Sequence, residues 1–409
     1  MNIYATDVWD TLKNSDKPIV LYGMGNGADK ILERFAAKGI SCAGIFASDG
    51  FVRGHSFHGM QVKTYAQIER EYDDFIVVLA FATQREEVLE HIFHIAEAHT
   101  VLAPDVPVAG ITLFSKAFYR LHEKEFEKAY SLLIDDASRD TFERIINFKI
   151  SGDIHLLKPF YEKKKVYSDL LCLHEETIVD LGAYDGDTAR EFAAADENYQ
   201  KIIALEPDQK NYKKLLKKCE HMRDLIAYNL GAWNKEDTAF FGAESSRNSA
   251  VGVKGEAIKL TSVDALIHEP ITLLKMDIEG SELKAIEGAA NTIRTFRPKL
   301  YICAYHRSED MFAIPLKIHE ICPDYRFYFC HHPYIPAWES NFYAHCVRWM
   351  KNEKWRMKNW GRHNAKVGTF ANEVGDKSPD EVATLMKYAC GIWSIGFANV
   401  VGDTFALDW

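Results

Sequence analysis

The residues best equipped for chemistry stand at the ends of short apolar runs. Residues 177–190 read T-I-V-D-L-G-A-Y-D-G-D-T-A-R: a β-branched run, a turn with glycines at 182 and 186, then a helix starting near Thr188. A strand, turn and helix N-terminus of this kind bring backbone N–H groups close to a ligand. The spacing is neither a dinucleotide fingerprint nor a phosphate loop, and no Lys-Ser/Thr pair follows to hold a triphosphate. Because Asp180, Asp185 and Asp187 flank the turn, a cationic or hydroxyl-bearing ligand suits it better than a pyrophosphate. S-adenosylmethionine, with its aminoacyl group, sulfonium and ribose diol, meets that description. Asp180, Gly182, Tyr184, Gly186, Asp187 and Thr188 are therefore the first candidate cofactor contacts.

Three further strand ends carry matching chemistry. Glu206, followed by Pro207, ends the run 201–205 and can accept both protons of a ribose diol. Gly231 and Ala232 close the next run and leave room for a flat adenine. Asp277 and Glu279 close a fourth, where the methyl acceptor would arrive. Taken singly, each has a bland counterpart: a surface acid, a turn, a helix N-cap with its helix-start charges. Their register along one alternating domain favours the site. His306, after the fifth run, is a candidate base for a hydroxyl nucleophile, with substrate binding or loop capping as the alternative. His331 and His332, in C-H-H-P-Y, are candidate acceptor contacts or ordinary surface residues. Asp277, Glu279 and His306 offer oxygen and imidazole ligands, but their spacing carries no metal signature and no metal is expected.

The elements that must position these residues alternate strand and helix. Strands are expected at 177–181, 201–205, 225–230, 271–276 and 299–304, and an antiparallel pair at 325–330 and 340–347 closes the sheet. This predicts an α/β fold with a mostly parallel sheet, and ligands at the carboxyl ends of its strands. A second β/α unit precedes it. There P-I-V-L leads into Gly23, Gly25, Gly27 and Ala28, a G-x-G-x-x-A pattern, and Asp49 follows at the offset of a ribose-binding acid. A nucleotide, a nucleotide-sugar, CoA or NAD would suit such a site; alternatively the glycines only let the helix at 28–38 pack tightly. The predicted organisation is a Rossmann-like unit at 1–110, a helical connector at 111–175, the main domain at 176–346 and an extension at 347–409.

Bulk composition narrows the partners. The chain has 409 residues and a net charge of −10, which gives no overall pull toward nucleic acid or an anionic membrane. Its eight cysteines form no C-x-x-C pair and fit reduced thiols in a cytoplasmic protein. No signal peptide or spanning segment is expected; the uncharged run 388–402 is interrupted by glycines. Lys163, Lys164 and Lys165 read as a solvated face. The basic, tryptophan-rich stretch 347–366 reads as a helix packing on the body, with an anionic or membrane partner as the alternative. A helix start is expected at Ser378.

Residues 166–346 resemble the FkbM family of S-adenosylmethionine-dependent methyltransferases. The segments carrying the resemblance are V-D-L-G-A-Y-D-G-D-T (179–188), A-L-E-P-D (204–208), N-L-G-A-W (229–233), L-L-K-M-D-I-E-G-S-E-L (273–283) and R-P-K-L-Y-I-C-A-Y-H (297–306). Many relatives carry a glutamate two residues before the histidine; here Ala304 stands there. The resemblance implies the class I methyltransferase fold and transfer to a hydroxyl oxygen of a sugar or natural-product precursor. The N-terminal unit is similar to small domains at the front of polysaccharide-biosynthesis enzymes. The partner implied is a small-molecule, sugar-type acceptor, and a homo-oligomer is left open. A competing reading makes the N-terminal unit an NAD-dependent sugar oxidoreductase or epimerase, although no Y-x-x-x-K pair follows its glycines. A third is a non-enzymatic nucleotide-binding scaffold.

Overall fold

The computed structural model describes residues 1–52, 54–162, 170–241, 251–252 and 256–346. The Lys163–Lys165 run and everything expected of 347–409 lie outside them.

The N-terminal sheet has six strands: β1 Ile19–Tyr22, β2 Gly44–Phe46, β3 Ser56–Phe57, β4 Met60–Lys63, β5 Ile76–Leu79 and β6 Thr100–Leu102, in spatial order β3-β4-β2-β1-β5-β6. All its pairs are parallel except the β3–β4 hairpin. Every residue of β1 and β5 is buried, as a strand covered on both faces requires. Their side chains alternate between two apolar clusters: Val20, Tyr22, Val77 and Leu79 enter one, Ile19, Leu21, Ile76 and Val78 the other.

The larger sheet holds β7 Thr177–Leu181, β8 Lys201–Leu205, β9 Leu225–Tyr228, β14 Leu273–Met276, β15 Lys299–Cys303, β16 Tyr325–His331 and β17 Ser340–Cys346. Its order is β16-β17-β15-β14-β7-β8-β9, with five parallel strands and the antiparallel β16–β17 pair at one edge. Between β9 and β14 the chain adds a small separate sheet from β10 Gly231–Ala232, β11 Asp237–Phe241, β12 Val251–Gly252 and β13 Glu256–Thr261. Sequence periodicity did not single it out, because two of these strands are only two residues long.

Helices Lys116–Leu121, Glu123–Ser131 and Asp136–Ser151 join the two sheets. The last packs on the closing pair: Phe142 meets Phe329 edge-on at 5.1 Å, and Ser138 Oγ accepts from Phe329 N. One apolar cluster therefore runs from β1 and β5 through Phe114, Phe126 and Phe142 to Phe329 and Phe342. Lys149 and Asp105 form a buried ion pair at 2.9 Å that ties the connector to the segment after β6.

In the G-x-G-x-x-A stretch of the N-terminal unit, Gly23 and Gly27 are filled from inside. A Cβ on Gly27 would strike the Ala80 carbonyl, and one on Gly23 would lie 2.6 Å from the Phe81 ring. Gly25, the N-cap of helix Asn26–Lys38, faces open space. Gly27→Ala should push this helix off the end of β5 and cost about 1–3 kcal/mol, as overpacking does. Urea denaturation reads this as a lower midpoint; an unchanged midpoint would show the helix packs less tightly than described.

Candidate functional site

The carboxyl ends of the parallel strands open on one cavity of about 610 Å³. That volume is in the range of small-molecule sites. At its base the turn after β7 is fixed by the strands on either side. Gly182 N and Ala183 N both donate to Leu205 O. Gly182 is left-handed at φ +78°, and any Cβ there would collide with the Asp277 carbonyl at the end of β14. The glycine thus lets two strand ends close on each other, beneath the cavity it also lines.

Lys275, buried in β14, bridges the same two strands. Its Nζ lies 2.9 Å from Asp180 Oδ1 and donates to Gly182 O at 2.9 Å. Burial opposes its charge, but Asp180 and Asp277 outweigh burial and raise its pKa, so it stays an ammonium. Asp180, expected at the cofactor, has no exposed surface and does not line the cavity. Its carboxylate holds Lys275, which does line it. Gly186 does not line the cavity either: it caps helix Asp187–Ala195 at φ +82°, and a Cβ there would meet Cys219 and Leu215. It serves packing behind the cavity. Gly182, Tyr184, Asp187, Thr188, Glu206, Pro207, Gly231 and Ala232 all line the cavity.

Glu206, at the end of β8, is 6% exposed. Each of its oxygens takes one backbone donor at 2.8 Å, Tyr184 N on Oε2 and Asp208 N on Oε1. A carboxylate has about four lone-pair positions, so acceptor capacity remains on both oxygens. Burial pushes its pKa up to about 7 against the pull of those two donors. Asn229 Nδ2 donates to the Glu206 and Pro207 carbonyls and fixes the loop.

Across the cavity stand Asp277, Glu279 and Glu339. Burial pushes Glu279 and Glu339 up to about 7, with Asp277 adding to the rise in both. Three non-glycine residues at the cavity sit in the left-handed region: Tyr184 (φ +47°), Glu279 (φ +55°) and Glu339 (φ +61°). Such strain persists only where surrounding structure imposes it, and it concentrates at functional sites. Tyr305, Tyr334, Trp338 and His332 complete this side; the Tyr334 and Trp338 rings are stacked with centroids 5.8 Å apart. His332 Nε2 pairs with Tyr343 Oη at 2.8 Å, whereas His331 is buried beside Ser340 and does not line the cavity.

His306 is not where a general base must be. Its side chain has no exposed surface and lies behind Asp277 and Glu279. Nδ1 faces Glu282 Oε1 at 2.9 Å; Nε2 faces Asp277 Oδ1 at 3.4 Å and Glu279 Oε2 at 3.6 Å. Burial alone would lower its pKa, but Glu282, then Asp277 and Glu279, overcome burial and raise it to about 10. An imidazole already protonated at neutral pH cannot take a proton from the acceptor.

Glu339 and the Tyr334–Trp338 pair escaped the sequence reading because they lie between β16 and β17, where no motif marks them. Lys275 stood inside K-M-D-I-E-G-S-E, and its position two residues before Asp277 on an otherwise apolar strand was the available signal.

Residues 180–344 match the family model of the methyltransferase FkbM domain. The chain carries an FkbM methyltransferase domain. The protein is a methyltransferase, and the FkbM domain contains every strand of its larger sheet except the first residues of β7 and the last of β17. The methyltransferase FkbM from Methylobacillus flagellatus KT has a similar structure: TM-score 0.62 and 20% identity over 82% of this chain and 92% of that one. That likeness is one of fold, and it extends well beyond the FkbM domain into the N-terminal half. An rRNA methylase from Streptococcus thermophilus covers 44% of this chain and 93% of its own, at 14% identity and TM-score 0.31. No curated protein matches the sequence. No helix among the described residues is long and apolar enough to cross a membrane.

The Asp180–Lys275 pair makes a direct prediction. Lys275→Met strands a buried carboxylate, and breaking such a pair costs about 3–5 kcal/mol. The double variant Asp180→Leu/Lys275→Met should recover most of that stability in thermal unfolding. Equal losses in single and double variants would show that the pair is not what holds these strand ends.

Proposed function

We propose that the protein transfers a methyl group from S-adenosylmethionine to a hydroxyl oxygen of a sugar or nucleotide-sugar acceptor. One observation carries the reading: Glu206, the Gly182 turn and the acids Asp277, Glu279 and Glu339 line a single cavity. The residues present fit the donor. Spare acceptor capacity on both Glu206 oxygens suits a vicinal diol, Gly231 and Ala232 of β10 line the cavity with Leu260 packed against Gly231, and Asp187 and Thr188 stand at a helix start. When bound, S-adenosylmethionine supplies a methyl carbon on a positively charged sulfur, and a neutral thioether remains after transfer.

The residues opposite suit a sugar. Carboxylates accept from several hydroxyls at once, and the stacked Tyr334–Trp338 rings offer an apolar face to a ring of C–H groups. Glu339 is the proton acceptor. Glu279 is committed to His306 at 3.6 Å, whereas Glu339 makes no ion pair among the described residues. As the O–CH₃ bond forms, the hydroxyl proton passes to the Glu339 carboxylate, so the acceptor oxygen never carries a full charge. Holding that oxygen in line with the methyl carbon supplies most of the remaining rate. Gln84 and Val108 of the N-terminal half line the same cavity, which supports that half as part of the acceptor site. A nucleotide at the N-terminal glycine turn would find Gly25, but not Gly23 or Gly27, open to it. A cytoplasmic location is supported by Cys219, Cys303 and Cys322 standing as thiols.

Two measurements test this reading. Calorimetric titration should show S-adenosylmethionine binding that weakens about tenfold per pH unit below about 7, because the diol requires ionised Glu206. In Glu206→Gln, binding should be weak and flat with pH; tight binding there refutes the diol contact. Glu339→Gln should lower turnover by about 100-fold or more with donor affinity retained. Undiminished turnover at saturating acceptor removes Glu339 as the base.

A further inference from the structure

At the closing edge of the larger sheet, Cys322, Asp324 and Cys346 bring two sulfurs and a carboxylate oxygen within 4.8 Å of one another. None of the three lines the cavity. Cys322 is the C-cap of helix Asp310–Ile321; the turn after it, closed by Tyr325 N donating to Cys322 O, carries Asp324 into β16. Cys346 ends β17 and is paired across the ladder with Tyr325, the first residue of β16. Both cysteines stand as thiols and are buried in the main apolar cluster, whereas the Asp324 side chain reaches solvent. Apolar packing accounts for two buried thiols, since cysteine behaves as a small hydrophobe. It does not account for a carboxylate set against both, because an acid gains nothing from an apolar neighbour. Asp324 Oδ2 also faces Arg297 Nη1 at 3.6 Å, from the left-handed C-cap of helix Ala290–Phe296.

We infer that Cys322 Sγ, Cys346 Sγ and a carboxylate oxygen of Asp324 form a binding site for Zn²⁺. Two thiolates select a borderline-soft ion over Mg²⁺ or Mn²⁺, and Zn²⁺ accepts sulfur and carboxylate ligands together in tetrahedral geometry. Sulfurs about 2.3 Å from zinc in that geometry stand about 3.8 Å apart, so side-chain rotations that close about 1 Å suffice. The charges balance. Before binding, the Asp324 carboxylate offsets the Arg297 guanidinium and the thiols are neutral. As the two Zn–S bonds form, both thiol protons leave to solvent, and two thiolates, one carboxylate, Zn²⁺ and the guanidinium again sum to zero. The buried sulfurs thus bring no net charge into the core. The solvent side, where Asp324 stands, leaves the fourth position to water. Bound there, the ion ties the end of helix Asp310–Ile321 to the last residue of β17, beside the first residue of β16. Its role is to hold the sheet edge, apart from the reacting groups.

The test uses the full chain, treated with EDTA and kept reduced by a phosphine, with Zn²⁺ alone as ligand and Co²⁺ as the spectroscopic probe. Calorimetry in two buffers of different ionisation enthalpy should give one Zn²⁺ per chain and the release of about two protons, so that affinity rises about 100-fold per pH unit while the thiols stay protonated. Co²⁺ should give thiolate-to-metal charge-transfer absorption and the intense visible bands of a tetrahedral site. Cys322→Ser and Cys346→Ser should each remove most of that absorption. Asp324→Asn should weaken Zn²⁺ by about tenfold or more. Zn²⁺ should also raise the thermal unfolding temperature in a concentration-dependent way, and Asp324→Asn should blunt the rise. Circular dichroism of each metal-free variant checks its fold; should a buried serine prevent folding, Asp324→Asn, at a solvent-reaching position, decides alone. Absence of saturable Zn²⁺ binding, charge-transfer absorption that persists in the folded serine variants, or unchanged affinity in Asp324→Asn overturns the proposal.

Discussion

The buried ion pair between Asp180 and Lys275 is the constraint on which the rest of the site depends. It joins the last turn of β7 to β14, the two central strands of the sheet, and Lys275 also holds the carbonyl of Gly182. A charge pair buried this deeply is costly unless each partner is satisfied. For Lys275 the cost is offset by charge–charge contact at 2.9 Å and by the hydrogen bond to Gly182, whereas burial keeps the Asp180 carboxyl above its usual pKa range in spite of Lys275. The pair brings the turn that faces Glu206 to a fixed distance from the loop bearing Asp277 and Glu279. Without it, the Glu206 wall and the Asp277 wall of the cavity would belong to two independently moving strand ends.

Around that anchor the site concentrates unfavourable features. Four carboxylates, Asp277, Glu279, Glu282 and Glu339, crowd one histidine, and Glu279 and Glu339 do so from strained backbone. Burial holds Glu206, Glu279 and Glu339 near neutrality in pKa, far above exposed carboxylates. These groups are poised for a ligand that contributes hydroxyl donors or positive charge, since either relieves what burial costs them.

The N-terminal half bears on the same cavity through packing. Gly280 has Ala109 and Arg307 against it, with no room for a Cβ, and Arg307 Nε donates to Gly280 O. Ala109 N donates to His306 O, Ser308 Oγ to Thr112 O, and Thr83 and Ile335 exchange backbone hydrogen bonds. The segment after β6 thus braces the loop that carries Glu279, and the loop after β5 braces the one that carries Tyr334. Residues from both halves of the chain shape the one cavity.

The strand–helix alternation, the parallel sheet and the cavity residues from Gly182 to Ala232 were legible in the sequence, because local periodicity and glycine turns are short-range signals. Glu206 was found for the same reason, as an acid immediately after an apolar run. Which way a strand-end residue turns is not a short-range property. Asp180 and Glu206 look alike in sequence, one residue before and one after the end of a strand; pairing with Lys275 buries the first, and two backbone donors turn the second to the cavity. His306 read as a base until Glu282, Asp277 and Glu279 were seen around it. Glu339 and Trp338 became part of the site only when β17 folded back beside β15. Chain-local chemistry fixed the elements and their order, and long-range pairing of buried charge decided which side chains reach the ligand.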